Sequence, residues 1–190
     1  MNRNKLNGLI LIIIITIIAY FGMIFFAQSE GYEDYLLFGV QKELVYNQHE
    51  YYRLITYMFD HGNLMHLVLN MMALYSLASI VPMFMEERFS IIIYFIAGIG
   101  SGIATSLQSY TITVGASGAI YGIFGILIYY AYQEYKSGNR AMLRSFAPVI
   151  IINLIISFTP GISLVGHVSG FIIGIIGALI YDKKNNRKVW

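Results

Sequence analysis

Cysteine is absent from this chain of 190 residues, which excludes disulfides and thiolate metal ligands and leaves the redox compartment open. Charge is scarce as well. Charged residues make up 12% of the sequence against 57% apolar, too few to cover a soluble globule of this size. Most of the surface must therefore meet lipid, and the chain reads as an integral membrane protein. The formal net charge is only +2 at pH 7, and membrane topology accounts for the basic residues, so no nucleic-acid partner is inferred. No repeat, low-complexity tract or linker divides the sequence, and a single domain over residues 1–190 is the natural count.

What the chain does have is a series of long apolar runs. Spans are read over residues 6–27, 64–85, 89–108, 117–135, 142–158 and 164–181. Each is about 17 to 22 residues long, enough to cross a hydrocarbon core roughly 30 Å thick. The expected fold is an all-α membrane protein, a bundle of six transmembrane helices. The first run is longer than the roughly 7 to 15 apolar residues of a signal-peptide core. No small-residue cleavage site follows in Phe25-Phe26-Ala27-Gln28, so this run reads as a retained helix. Ten of the twelve basic residues (Arg3, Lys5, Arg88, Lys136, Arg140, Arg144, Lys183, Lys184, Arg187 and Lys188) fall on the side shared by both termini; Lys42 and Arg53 fall opposite. The positive-inside rule then puts both ends in the cytoplasm, as for a multi-pass protein of the cell membrane. The C-terminal basic cluster is expected to touch anionic lipid headgroups.

Residues 28–62 form neither a span nor a tight turn. They mix Glu30, Glu33, Asp34, Glu43, Glu50 and Asp60 with many aromatic side chains, a composition suited to the outer interface. A connection this long is expected to hold short helices lying partly in the membrane surface.

Chemistry gathers in three of the runs. Gly115-Ala116-Ser117-Gly118-Ala119-Ile120-Tyr121-Gly122 sets a serine between glycines at the start of an apolar helix. Gly166-His167-Val168-Ser169-Gly170 sets a histidine in another. A serine needs a nearby base to become nucleophilic, and His167 supplies one. Counting up from Tyr130 and Tyr181 as inner-interface markers, Ser117 lies about 20 Å and His167 about 21 Å along their helices, at one depth. The uncharged approach, residues 109–115, reads as non-helical backbone dipping inward, tolerated at depth only where it lines protein or water. Gly118 and Gly122, with Gly166, Gly170 and Gly174, recur every four residues and give both helices smooth faces for close approach. Tyr121, one turn below Ser117, is placed to stack on the imidazole or simply to pack.

His66 and Asn70 are four apart at the outer end of the second span and share one helical face. With the Ser117 backbone N–H at a helix N-terminus, they are candidate donors for the oxyanion of a tetrahedral intermediate. Plainer readings exist. Ser117 alone suits an N-cap or a small packing residue, and His167 alone an interhelical hydrogen bond. The matched depth of the pair favours chemistry, as do ionisable residues within spans generally. A zinc site of His61, His66 and His167 is a rival; it lacks a carboxylate on the spans, and the offset of five residues does not place His61 and His66 on one helical face.

The ordered set of an HxxxN helix, a GASG serine helix and a GHxxG histidine helix resembles the bacterial rhomboid intramembrane serine proteases over nearly the whole chain. The resemblance implies a Ser117 nucleophile and a His167 base, oxyanion side chains from His66 and Asn70, and Tyr121 stacked on His167. Gly115, Gly118 and Gly170 would support them. Tyr52-Arg53 resembles the family's Trp-Arg pair in the first loop, with Tyr in place of Trp. Glu86-Glu87-Arg88 resembles its Glu-x-Arg stretch, although Pro82 and the spacing depart from the commoner form. The resemblance implies no cofactor, and cleavage of single-span membrane proteins near the outer end of their helix. The alternatives are a catalytically silent relative that binds membrane clients, disfavoured by the intact dyad and oxyanion set, and a small transporter, disfavoured by the lack of paired half-helices and intramembrane carboxylates.

Overall fold

A computed structural model describes residues 8–108, 111–158 and 161–185. Arg3, Lys5, Arg187 and Lys188, with residues 6, 7, 109 and 110 of the segments read above, lie outside the described residues. The long helices are α1 (Gly8–Ser29), α4 (Leu64–Ala78), α5 (Glu87–Gln108), α6 (Ser117–Lys136), α7 (Ala141–Ile156) and α8 (Leu164–Lys184). Short α2 (Asp34–Phe38) and α3 (Arg53–Thr56) lie in the first loop, with a π-helical turn at Glu43–Asn47 between them. Among the described residues the β-type pairing is one isolated antiparallel bridge, Val40 with Thr113.

Helix ends follow local chemistry. Asn63 caps α4 by accepting from the His66 N–H at 2.8 Å, and Ser163 caps α8 by accepting from the Gly166 N–H at 3.0 Å. The α-helix of the second span stops at Ala78, short of the expected residue 85, and continues as a 3₁₀ turn at Val81–Met83. Pro82 accounts for this: its ring would strike the carbonyl four residues back, that of residue 78.

Helix α6 is the centre of the bundle. It packs against α4, α5, α7 and α8, while α1 lies outside against α4 and α5. Residues 118–127 of α6 are all buried. By contrast Ile18 and Phe25 of α1, Leu69 of α4, Ile155 of α7 and Ile180 of α8 project outward, and such an apolar exterior is what lipid requires. Among the described residues, four helical segments, Gly8–Ser29, Leu64–Met83, Glu87–Gln108 and Leu164–Lys184, are long and apolar enough to cross a membrane. The chain is therefore an all-helical membrane protein. The central α6 needs no apolar coat, because its neighbours are protein; this is why a helix of 20 residues tolerates so many glycines and tyrosines.

The glycine faces meet at Gly170 and Gly174, whereas Gly166, counted on the same face, packs against Ser101 and Thr105 of α5. A Cβ built on Gly170 would collide with the Gly118 carbonyl oxygen, and one on Gly174 with that of Gly122. Backbone touches backbone there, which only glycine allows. At the inner end, Tyr129 and Tyr130 donate to the Asp182 carboxylate at 3.0 and 2.8 Å. The two tyrosines and Tyr181 thus lie at one level, as the depth count assumed, although they are buried in the bundle rather than exposed at its edge.

Candidate active site

Ser117 is the first residue of α6, and Ala116, not Ser117, occupies the N-cap position without any side-chain capping bond. The capping role open to Ser117 in the sequence is therefore not the one it takes. Its Oγ lies 2.8 Å from His167 Nε2. The His167 ring stacks on Tyr121, with centroids 4.1 Å apart and planes 10° from parallel. Close glycine packing of α6 on α8 makes this distance possible, and the cap at Ser163 fixes where the turn bearing His167 begins.

The other ring nitrogen has a partner that the sequence reading missed. His167 Nδ1 lies 2.6 Å from Ser157 Oγ, on the residue following α7. The Tyr121 hydroxyl lies 3.2 Å from the same Ser157 Oγ. Nothing in a lone serine near the end of an apolar run distinguishes it; a depth count applied to every polar residue of the fifth span would have put Ser157 level with His167.

Ser117, His167, His66 and Asn70 line one cavity of about 470 Å³. The first-turn N–H groups of α6, Ser117 included, have no carbonyl partner within their own helix. Asn70 Nδ2 donates one hydrogen to the His66 carbonyl at 3.0 Å, leaving its second amide hydrogen for other use. The His66 ring packs against Gly115 so closely that a Cβ there would lie 2.7 Å from His66 Cε1. Gly115 also has φ +123°, so any other residue would be both strained and in collision.

His61 takes a part that spacing did not foretell. It precedes α4, and its ring meets that of His66 edge to face at 5.0 Å, so the offset of five residues was no obstacle to their contact. The Ala116 N–H donates to His61 Nε2 at 3.4 Å, tying down the turn just before Ser117. Burial, and then the neighbouring His66, push the His61 pKa down, which keeps the ring neutral and able to accept that bond. Among the described residues no three His, Cys, Asp or Glu side chains gather as a metal would need.

The first loop reaches the same turn. Arg53 is buried, donating through Nη1 to the Gly39 carbonyl at 2.9 Å and through Nε to the Glu50 carboxylate. Next to Gly39, Val40 exchanges two 2.9 Å backbone hydrogen bonds with Thr113, and Gly115 N–H donates to the Tyr57 carbonyl at 2.8 Å. Arg53 thereby acts on Ser117 through the backbone and does not touch it. Glu86 and Arg88 form an exposed ion pair at 2.8 Å, at the opposite end of the bundle from the cavity.

Fold and cavity together define a helical membrane protein with a serine and a histidine hydrogen-bonded inside the bundle. The profile described as Rhomboid domain matches residues 48–184, and the chain belongs to the rhomboid family. It is 34% identical over 170 residues to Rhomboid protease GluP of Bacillus subtilis, covering 88% of this chain and 33% of that protein. It is 36% identical over 133 residues to RHOMBOID-like protein 6, mitochondrial, of Arabidopsis thaliana, covering 66% and 42%. With Rhomboid-like protease 3 of Toxoplasma gondii the figures are 25% over 158 residues, 78% and 59%. The chain spans less than half the length of the first two of these relatives.

Proposed function

We propose that this protein is an intramembrane serine endopeptidase that crosses the cell membrane six times with both termini in the cytoplasm. The observation that carries the reading is the 2.8 Å approach of Ser117 Oγ to His167 Nε2 in a cavity inside a lipid-clad bundle. Similarity to proteins named as proteases supports it. Ser117 Oγ bonds to the carbonyl carbon of the substrate as its proton passes to His167 Nε2. The carbonyl oxygen takes up the electron pair and receives hydrogen bonds from the Ser117 N–H and the His66 and Asn70 side chains. Collapse breaks the C–N bond, and Nε2 returns the proton to the leaving amine. A water molecule then repeats both steps on the acyl-serine, releasing the acid and restoring Ser117.

The cavity lies toward the end of α6 and α8 opposite the Tyr129, Tyr130 and Asp182 cluster, which favours cleavage near the outer end of a substrate helix. A single-span membrane protein is the substrate class proposed, and membrane lipid is the surrounding partner. The complete hydrogen-bonded pair weighs against a silent client-binding protein, which has no need of it.

Labelling decides between the two. A fluorophosphonate should modify wild-type protein at Ser117 and leave Ser117→Ala and His167→Ala unlabelled, with cleavage of a single-span test substrate lost in parallel. Labelling of His167→Ala equal to wild type would remove the dyad.

A further inference from the structure

Ser157 Oγ stands at a junction with His167 Nδ1 at 2.6 Å, the Tyr121 hydroxyl at 3.2 Å and the Asn153 backbone carbonyl at 2.9 Å. Ser157 is 1% exposed, so no bulk water substitutes for these partners. A serine hydroxyl carries one proton and two acceptor lone pairs. The Asn153 carbonyl only accepts, so it takes the Ser157 proton. The two lone pairs then accept from Tyr121 O–H and from His167 Nδ1–H, and every hydrogen-bonding position of the hydroxyl is filled.

We propose that Ser157 is a positioning residue for His167: it holds the neutral imidazole in the form protonated at Nδ1, so that the Nε2 lone pair faces Ser117. As regards rate, this rests on the proposed dyad; the tautomer itself does not. When Nε2 takes the proton of Ser117 and the ring becomes cationic, Nδ1–H keeps its acceptor, so the ring need not turn between the two halves of the reaction. A carboxylate in the same place would do this more strongly. It would also set a charge in a buried site, where desolvation penalises it, and a hydroxyl held by the Asn153 carbonyl supplies the orientation without the charge. The Tyr121 ring fixes the plane of the imidazole, and Ser157 fixes its rotation within that plane.

The experiment uses full-length protein in detergent with ¹⁵N-labelled histidine, the His167 signals being identified by their loss in His167→Gln. Wild-type protein at a pH where the ring is neutral should show a pyrrole-like Nδ1 and a pyridine-like Nε2. Ser157→Ala should shift both toward the opposite tautomer, and Ser157→Thr, which keeps the hydroxyl, should restore them. Ser145→Ala, within α7 and with the same kind of backbone-directed hydroxyl, should leave them unchanged. In turnover, Ser157→Ala should lower kcat about 10- to 100-fold, by analogy with the loss of a group that orients a metal-bound histidine, with KM unchanged. A wild-type ring protonated at Nε2 overturns the proposal even if Ser157→Ala does not fold. So does a folded Ser157→Ala with unchanged spectra and kcat. If neither wild type nor variants cleave any substrate, the protease reading fails while the spectra still decide the tautomer.

Discussion

Asn70 is where side-chain chemistry and the membrane interior meet most directly. Its carboxamide is buried, one hydrogen returns to its own helix at the His66 carbonyl, and the rest of the group faces the cavity that holds Ser117. A donor fixed in a low-dielectric site acts mainly on charge that develops during reaction. Asn70→Ala should therefore lower kcat more than it raises KM, by a factor approaching about 10²–10³ if Asn70 is the principal donor and by less where His66 shares the oxyanion. Steady-state kinetics on a model substrate measure this. An unchanged kcat in the Asn70/His66 double alanine variant would take both side chains out of the mechanism. Gly115 explains why His66 is available at all: the ring fills the space a Cβ would occupy, so the glycine sets the position of the histidine.

Among the elements, the contact of α6 with α8 decides the geometry. The Gly118 carbonyl abuts Gly170, and the Gly122 carbonyl abuts Gly174, so the two helices are as close as backbones permit. Gly170→Leu puts a side chain against a carbonyl that cannot rotate away. Overpacking costs about 1–3 kcal/mol in cores that can adjust, and this backbone contact leaves less freedom than most. A displacement near 1 Å costs about a hundredfold in rate, so turnover should fall further than stability. Thermal unfolding in detergent, run beside substrate cleavage, separates the two effects; a folded variant with wild-type turnover would place Gly170 away from the working interface. The first loop is held on the same principle of shared backbone. Arg53 fixes Gly39, Val40 bridges to Thr113, and the segment after Thr113 leads into Gly115, so a loop far along the sequence steadies the turn before Ser117.

For the whole molecule, the distribution of charge predicts direction. The lack of native cysteine gives any introduced thiol a silent background. Glu33→Cys in the first loop and Ser137→Cys just beyond α6 are both exposed positions. In intact cells an impermeant maleimide should label Glu33→Cys and spare Ser137→Cys until the membrane is opened; the reverse pattern would invert the topology. The exterior of the bundle fits a lipid setting over α1, α4, α7 and α8. The interior departs from it, with Tyr129, Tyr130 and Asp182 satisfying one another at one end and the Ser117 cavity at the other.

The sequence by itself determined the helices, because span length, apolar content and capping residues such as Asn63 and Ser163 are local properties of the chain. It also determined the depth of Ser117 and His167, since rise per residue converts numbering into height. The glycine spacing announced which faces would touch. Helix rotation and partner choice are not local, and there the tertiary structure decided. Spacing alone could not bring His61 beside His66, because His61 precedes the helix on which the offset was counted. Nor could it assign Ser157 to His167 Nδ1: numbering gives at most a matching height, and the contact itself depends on how α7 packs on α6. The same holds for Arg53, whose contact with Gly39 and hence with the Ser117 turn exists only once the loop has folded back on the bundle. Pattern fixes what each segment is, while hydrogen bonds between distant segments are settled only when packing fixes where their donors and acceptors come to lie.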